Sequence, residues 1–195
     1  GAFDSPHPAA AMADDTLCQI LALLVLDSDG VRLAVKYSTL AKKELWPSTK
    51  AQIAFEKKVI SKLPKPSSTR SDVDVAVIDD YTVLYQACND VVVCAVASGS
   101  ENELVVLQLV EGVFSAISAT ATSSFLSSGV TKQLVLDNLS DVLFILDEVN
   151  DDGIIMETEE EKIAARIKMT DETEATNAQQ AEKMIQQATQ SARQK

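Results

Sequence analysis

Residues Leu17–Leu26 read LCQILALLVL, and Val91–Ala97 read VVVCAVA. Apart from Gln19, neither stretch offers a polar side to water at odd or at even positions. A strand that is apolar on both faces has to be covered above and below, so both belong in the interior of a sheet. Both are strand-sized and fall well short of the ~18–20 residues that a membrane-crossing helix needs.

The flanking sequence supplies the remaining elements. Asp27-Ser28-Asp29-Gly30 is turn chemistry, and Val31–Tyr37 alternates, with Val31, Leu33, Val35 and Tyr37 on one face and Arg32, Ala34 and Lys36 on the other. A short turn followed by alternation predicts a hairpin whose outer strand is the alternating one. After Pro47, Ser48 is placed to cap a helix running to about Leu63, with Phe55, Val59 and Leu63 on one stripe and Pro64 and Pro66 beyond its end. Strands Asp72–Ile78 and Tyr81–Cys88 lead into Val91–Ala97 through the turn pairs Asp79-Asp80 and Asn89-Asp90.

Ser100 and Glu103 have capping-box spacing ahead of a helix over roughly Asn102–Ser118, which turns Val106, Leu109, Val110, Val113 and Ile117 inward. The Ser/Thr/Ala-rich residues 118–128 read as a loop. Thr131–Glu148 reads as one helix with Val135, Leu139, Val142, Leu143 and Leu146 buried, and about Glu159–Met169 as a charged one. The tail from Thr170 is polar with a weak stripe of Ala181, Met184, Ile185 and Ala188.

Burial alone then selects a topology. The helix after the hairpin makes strands two and three run the same way, and the three-strand meander leaves strand five antiparallel to strand one. The two strands that need covering on both faces are one and five, so they are central neighbours. The expected fold is an α/β sandwich: a five-stranded antiparallel sheet in the order 2-1-5-4-3, one helix on one face, two on the other, and a C-terminal helical tail. The expected organisation is a disordered tail or expression remnant at 1–13, a domain at 14–157 and a charged helical extension at 158–195.

Composition limits the function. The chain has 195 residues, with 46% hydrophobic and 24% charged side chains, values of an ordinary folded domain. The formal net charge of −12 argues against nucleic acid as the main partner, because phosphate binding relies on Lys and Arg. With three cysteines and no long apolar run, the chain is expected to be soluble, intracellular and reduced.

The single histidine, His7, lies in the leading segment, so triads built on imidazole lack their base. Cys18, Cys88 and Cys94 form no C-x-x-C and are expected to be buried in strands. No glycine-rich phosphate loop is present, and no catalytic residue, cofactor or metal is expected. Glu148, Asn150, Asp152, Gly153 and Glu159 imitate the spacing of a calcium loop, but Glu stands where the tight loop needs Asp, and a plain acidic turn is the better reading. Charge is segregated: ten bases and two acids lie between Arg32 and Arg70, ten acids and no base between Asp137 and Glu161. That pattern reads either as solvated helix faces or as a bipolar surface that orients a partner. Trp46, beside Pro47, is either a loop anchor or an exposed contact residue.

Three segments carry a resemblance. LVLDSDGVRLAVKY within Leu17–Tyr37 resembles the first hairpin of the small subunits of vesicle-coat adaptors. Tyr81–Val110 is similar to their fourth and fifth strands and following helix start. Phe144–Thr158 (FILDEVNDDGIIMET) is similar to their closing signature. Within that longin-like family the zeta branch of coatomer, which also has a polar helical tail, resembles the chain best.

The resemblance implies a non-catalytic subunit of the coatomer (COPI) coat that pairs with the gamma subunit in Golgi-to-ER and intra-Golgi transport. It also implies recruitment with the rest of coatomer by an Arf-type GTPase, and a cytoplasmic location, peripheral on Golgi membranes and vesicles. The alternatives are a sigma-type clathrin-adaptor subunit and a longin-type GTPase regulator. An obligate partner implies an uncovered apolar surface, expected from Tyr37, Leu40, Trp46, Ile154, Ile155 and Met156. Dileucine-cargo binding, a property of sigma subunits, is not carried over: the relevant turn is Asn89-Asp90, and Asp90 opposes an acidic motif even though Arg32 keeps a basic position.

Overall fold

The computed structural model describes residues 18–120 and 129–167. In chain order the elements are β1 (Ile20–Asp27), β2 (Arg32–Tyr37), a π-helical turn (Ala41–Leu45), α1 (Thr49–Lys62), β3 (Asp74–Ile78), β4 (Tyr81–Cys88) and β5 (Val91–Ser98). They are followed by α2 (Glu103–Ala119), α3 (Lys132–Asp137), α4 (Leu139–Val149), the small strands β6 (Asn150–Asp151) and β7 (Ile154–Ile155), and a last helix, α5, over 160–167. His7, Leu17, the loop residues 121–128 and the tail stripe from Ala181 to Ala188 lie outside the described residues.

The sheet has the order β2-β1-β5-β4-β3, antiparallel throughout, with β1 and β5 paired at its centre. Side chains alternate along these two strands into two separate cores. Leu23 and Val25 join Val91, Val93, Ala95 and Ala97 beneath α2 and α4. Ala22, Leu24 and Leu26 join Val92, Cys94 and Val96 beneath α1. The sheet is thus the middle layer of a helix–sheet–helix sandwich, as the two doubly apolar runs require.

Ser48 caps α1 as its sequence suggests, accepting a hydrogen bond from the Ala51 backbone N–H at 3.2 Å, and Phe55, Val59 and Leu63 are buried. The turn pairs between the meander strands hold: Asp79 and Asn89 take positive φ of 57° and 54°. This is a conformation that Asn and Asp tolerate better than other residues carrying a Cβ.

Four local expectations are corrected. In β2 the alternation breaks: Val25 pairs with Ala34 but Leu26 with Arg32, so Leu33 bulges from the ladder. Arg32, Val35 and Tyr37 therefore face α1, while Leu33 and Ala34 pack on the opposite core. The cap of α2 is Asn102, whose Oδ1 accepts from Leu104 N–H at 3.1 Å, while the Ser100 hydroxyl bonds Ser98 Oγ instead of forming a capping box. The expected helix over 131–148 is two helices, because Asn138 leaves helical geometry (φ −116°, ψ 34°) and its side-chain N–H₂ donates to the Leu134 carbonyl. That break resets the phase, so α4 buries Val142, Ile145, Leu146 and Val149, and Leu143 is exposed. Finally, Cys18 lies just ahead of β1 and is partly exposed, whereas Cys88 and Cys94 are buried in strands.

The acidic segment after α4 is a β6–β7 hairpin, not a helix–loop–helix. Gly153 takes φ +99° at its tip, and a Cβ there would stand 2.7 Å from the Ile20 carbonyl. Only glycine fits both demands. The packed unit continues past residue 157, since Ile163 of α5 is fully buried in the core under α2 and α4.

Candidate partner-docking surface

The six residues expected to form an uncovered apolar face separate into two groups. Tyr37 and Trp46 are buried, at 4% and 7% exposure, and supply no docking surface in the free chain. Burial follows from the aromatic cluster above α1: Trp46 stacks on Phe55 with ring centroids 4.2 Å apart and meets Tyr37 and Tyr81 at 5.6 and 5.3 Å. Of the two readings of Trp46, the loop anchor is the one realised. Leu40 and Met156 remain exposed at 45% and 59%, with Ile154 and Ile155 half-buried.

The fold brings the segments of these exposed residues together. Asp152 Oδ1 accepts the Thr39 backbone N–H at 2.5 Å, the Ile20 N–H donates to the Gly153 carbonyl at 2.8 Å, and Gln19 bridges Ile154. The Thr39 bond, helped by the charges of Lys42 and Lys43, holds the Asp152 carboxyl below its ordinary pKa. The residues with calcium-loop spacing serve as struts: Asp152 anchors Thr39, Asn150 Oδ1 caps the Gly153 N–H, and Glu148 pairs with Arg166.

On the α1 side of the sheet lies a polar network that the sequence reading did not assemble. Glu56 is fully buried; it accepts from Arg32 Nε at 2.6 Å and from the Tyr37 hydroxyl at 2.7 Å. Arg32 also donates to Gln52 Oε1, whose amide in turn donates to the Trp46 carbonyl. Burial, then the hydrogen bond to Glu56, push the Tyr37 pKa far above its usual value, so the phenol stays a donor. The legible signal was Glu56 itself, a lone acid among lysines, one residue from the buried stripe of Phe55 and Val59.

At the opposite end of the sheet, Asp27, Asp90 and Lys132 lace two turns to α3. Lys132 Nζ donates to Asp27 Oδ2 and its backbone N–H to Asp90 Oδ1, both at 2.8 Å. Burial pushes Asp27 upward, but the Lys132 ammonium and the N–H groups of Val31 and Asp29 outweigh it, leaving its pKa below the ordinary 3.8. Arg32 and Asp90 are thus both engaged within the fold.

A groove of about 390 Å³ runs between α2 and residues 158–160, lined by Gln108, Glu111, Ser115 and Glu159. Burial raises the Cys18 thiol to about 11 and the Cys94 thiol further, which keeps both as weak nucleophiles at neutral pH. Among the described residues no cluster of three or more His, Cys, Asp or Glu is placed to hold a metal ion, and no helix is long and apolar enough to cross a membrane.

Comparison with known proteins agrees with this architecture. Residues 19–174 match the family model described as clathrin adaptor complex small chain. The chain is 36% identical over 173 residues to coatomer subunit zeta-1 of Arabidopsis thaliana, covering 88% of this chain and 90% of that protein. It is 28% identical over 179 residues to human coatomer subunit zeta-1, covering 92% and 93%. Its fold also matches a chain in a homology model of the full-length AP-3 complex in a stretched open conformation. There the TM-score is 0.53 and the identity 16%, over 82% of this chain and 98% of that one.

Proposed function

From the premise that the chain belongs to the clathrin adaptor complex small chains, and within them to the coatomer zeta subunits, we propose that it pairs with coatomer's gamma subunit as a non-catalytic part of the COPI coat. As a coat-complex subunit it is read as cytoplasmic, held on Golgi membranes through the complex and recruited with it by an Arf-type GTPase, in Golgi-to-ER and intra-Golgi transport. The observation that carries the reading is the 36% identity extending over nine-tenths of a zeta subunit. The fold supports it: a sheet filled on both faces leaves side chains to hold the scaffold and outer surfaces to bind.

The large partner is proposed to meet the face that carries Leu40 and Met156, beside Ile154 and Ile155, while Tyr37 and Trp46 stay buried in the core under α1. Obligate interfaces of this kind bury on the order of 2,000 Å² or more. Co-expression with the large chains of coatomer and of clathrin adaptors, followed by pull-down, tests the pairing. Selective capture of the gamma chain supports it; capture of a clathrin-adaptor large chain, or of none, overturns it.

A further inference from the structure

The solvent face of α1 carries positive charge only. Lys50 and Lys57 stand at i and i+7, half a turn from the buried Phe55 and Val59, with Ile53 and Ala54 exposed between them; Lys62, seven residues after Phe55, and Lys65, beyond the end of the helix, lie to the side of this row. The helix's one acid, Glu56, points inward and is neutralised by Arg32. Lys58 is paired with Asp79 in the β3–β4 turn, Asp29 and Asp80 stand in neighbouring turns, Glu44 lies just ahead of the helix, and Lys65 lines a shallow pocket with Asp72 and Asp74. Among the described residues Lys50, Lys57, Lys62 and Lys65 have no ion-pair partner.

We infer that this face of α1 binds an anionic bilayer surface directly, a contact that goes beyond the proposed pairing and needs no partner chain. Three observations favour lipid over an acidic protein. The free cations are all lysines, point charges suited to a diffuse negative potential rather than to bidentate capture of one carboxylate or phosphate. The face lacks the aromatic anchors of protein interfaces, whose cores are depleted in Lys; Phe144, the exposed large aromatic among the described residues, is on α4. Ile53, partly exposed within the row, provides a shallow apolar contact of the kind interfacial helices use.

Part of the negative charge behind the chain's net −12 is held away from this contact. The acids of α4 and α5 lie beyond the sheet, two layers or about 20 Å away. That exceeds two Debye lengths at physiological salt, so the bilayer senses the lysine face and repels the opposite one. The same separation fixes orientation: α1 toward the membrane, α4 away from it.

Vesicle flotation of the full chain tests the inference, using phosphatidylcholine vesicles with and without about 30% phosphatidylserine. Recovery with the phosphatidylserine vesicles alone is expected, falling steeply with added salt. In Lys50→Glu/Lys57→Glu, confirmed folded by its melting temperature, recovery should drop about tenfold or more. Equal recovery with both vesicles, no recovery with either, or full recovery of the double variant overturns the inference. So does binding to polyglutamate without binding to the phosphatidylserine vesicles, which would assign the face to an acidic protein.

Discussion

Gly112 of α2 lies so close to Thr158 that a Cβ on it would stand 2.0 Å from the Thr158 carbonyl oxygen. The obstacle is backbone, which a rotamer change cannot relieve. This contact lays the segment 156–159 across α2 and delivers Ile163 of α5 to the core. Gly112→Ala should cost about 1–3 kcal/mol in urea unfolding and expose residues 156–167 to protease. An unchanged urea midpoint together with unchanged proteolysis would show that the segment is not clamped there.

Arg32 and Glu56 form a buried pair whose halves are unequal, since Glu56 has no access to water. Arg32→Ala strands that carboxylate and should destabilise the chain by about 3 kcal/mol. Adding Glu56→Gln removes the charge while keeping an acceptor for Tyr37, so the double variant should be more stable than the single one. Equal stabilities in denaturant melts would mean that Arg32 does not compensate Glu56.

Trp46, the single tryptophan, reports on the α1 face of the core. Its emission should be blue-shifted in the native state and move red in one step with the loss of helical circular dichroism. Trp46→Phe keeps the stack on Phe55 and should be mild, whereas Trp46→Ala should cost about 3–5 kcal/mol. A native emission maximum typical of water would contradict the burial described.

Stability should depend on pH at both ends. The Asp27 pKa is lowered on folding, so its contribution is present above about 3.8 and is lost as pH falls through its folded value. Lys132→Met should therefore lower stability at neutral pH and flatten the acid limb. Tyr85 is raised to about 12 by burial and by its bond to Asp74, and Tyr37 is raised further. Their contribution is complete below pH 10 and declines as pH rises beyond it. A wild-type acid limb identical to that of Lys132→Met would remove Asp27 from the account.

Leu40→Asp and Met156→Asp place charges on the proposed partner face without disturbing a buried side chain. Each should leave the melting temperature within a degree or two while weakening capture of the gamma chain about tenfold or more. Capture at wild-type level by both variants would move the interface elsewhere.

The architecture was legible because β1 and β5 carry a signal that resists local error: runs apolar at both parities have one place in a sheet, and strand order followed from them. What escaped the sequence depended on single-residue geometry. The bulge at Leu33 moves Arg32 across the sheet, yet a pattern of period two contains no mark of an inserted residue. Asn138 breaks a helix that periodicity carries straight through, because its side chain competes for a backbone carbonyl. Tyr37 and Trp46 were counted toward an uncovered face, although Trp46 also read as a loop anchor, because an aromatic residue at a strand end or in a Lys-rich loop looks alike whether it docks inward or outward. The Phe55 and Tyr81 rings that receive Trp46 come from two other elements.

The proposed function makes this small chain one half of a heterodimer with coatomer's gamma subunit. Sedimentation equilibrium of the purified chain mixed with the gamma-subunit trunk tests it most directly. A 1:1 complex with a Kd below about 100 nM is the predicted result, as expected for a well-packed interface of standard size or larger. Two independently sedimenting species at micromolar concentration would contradict it.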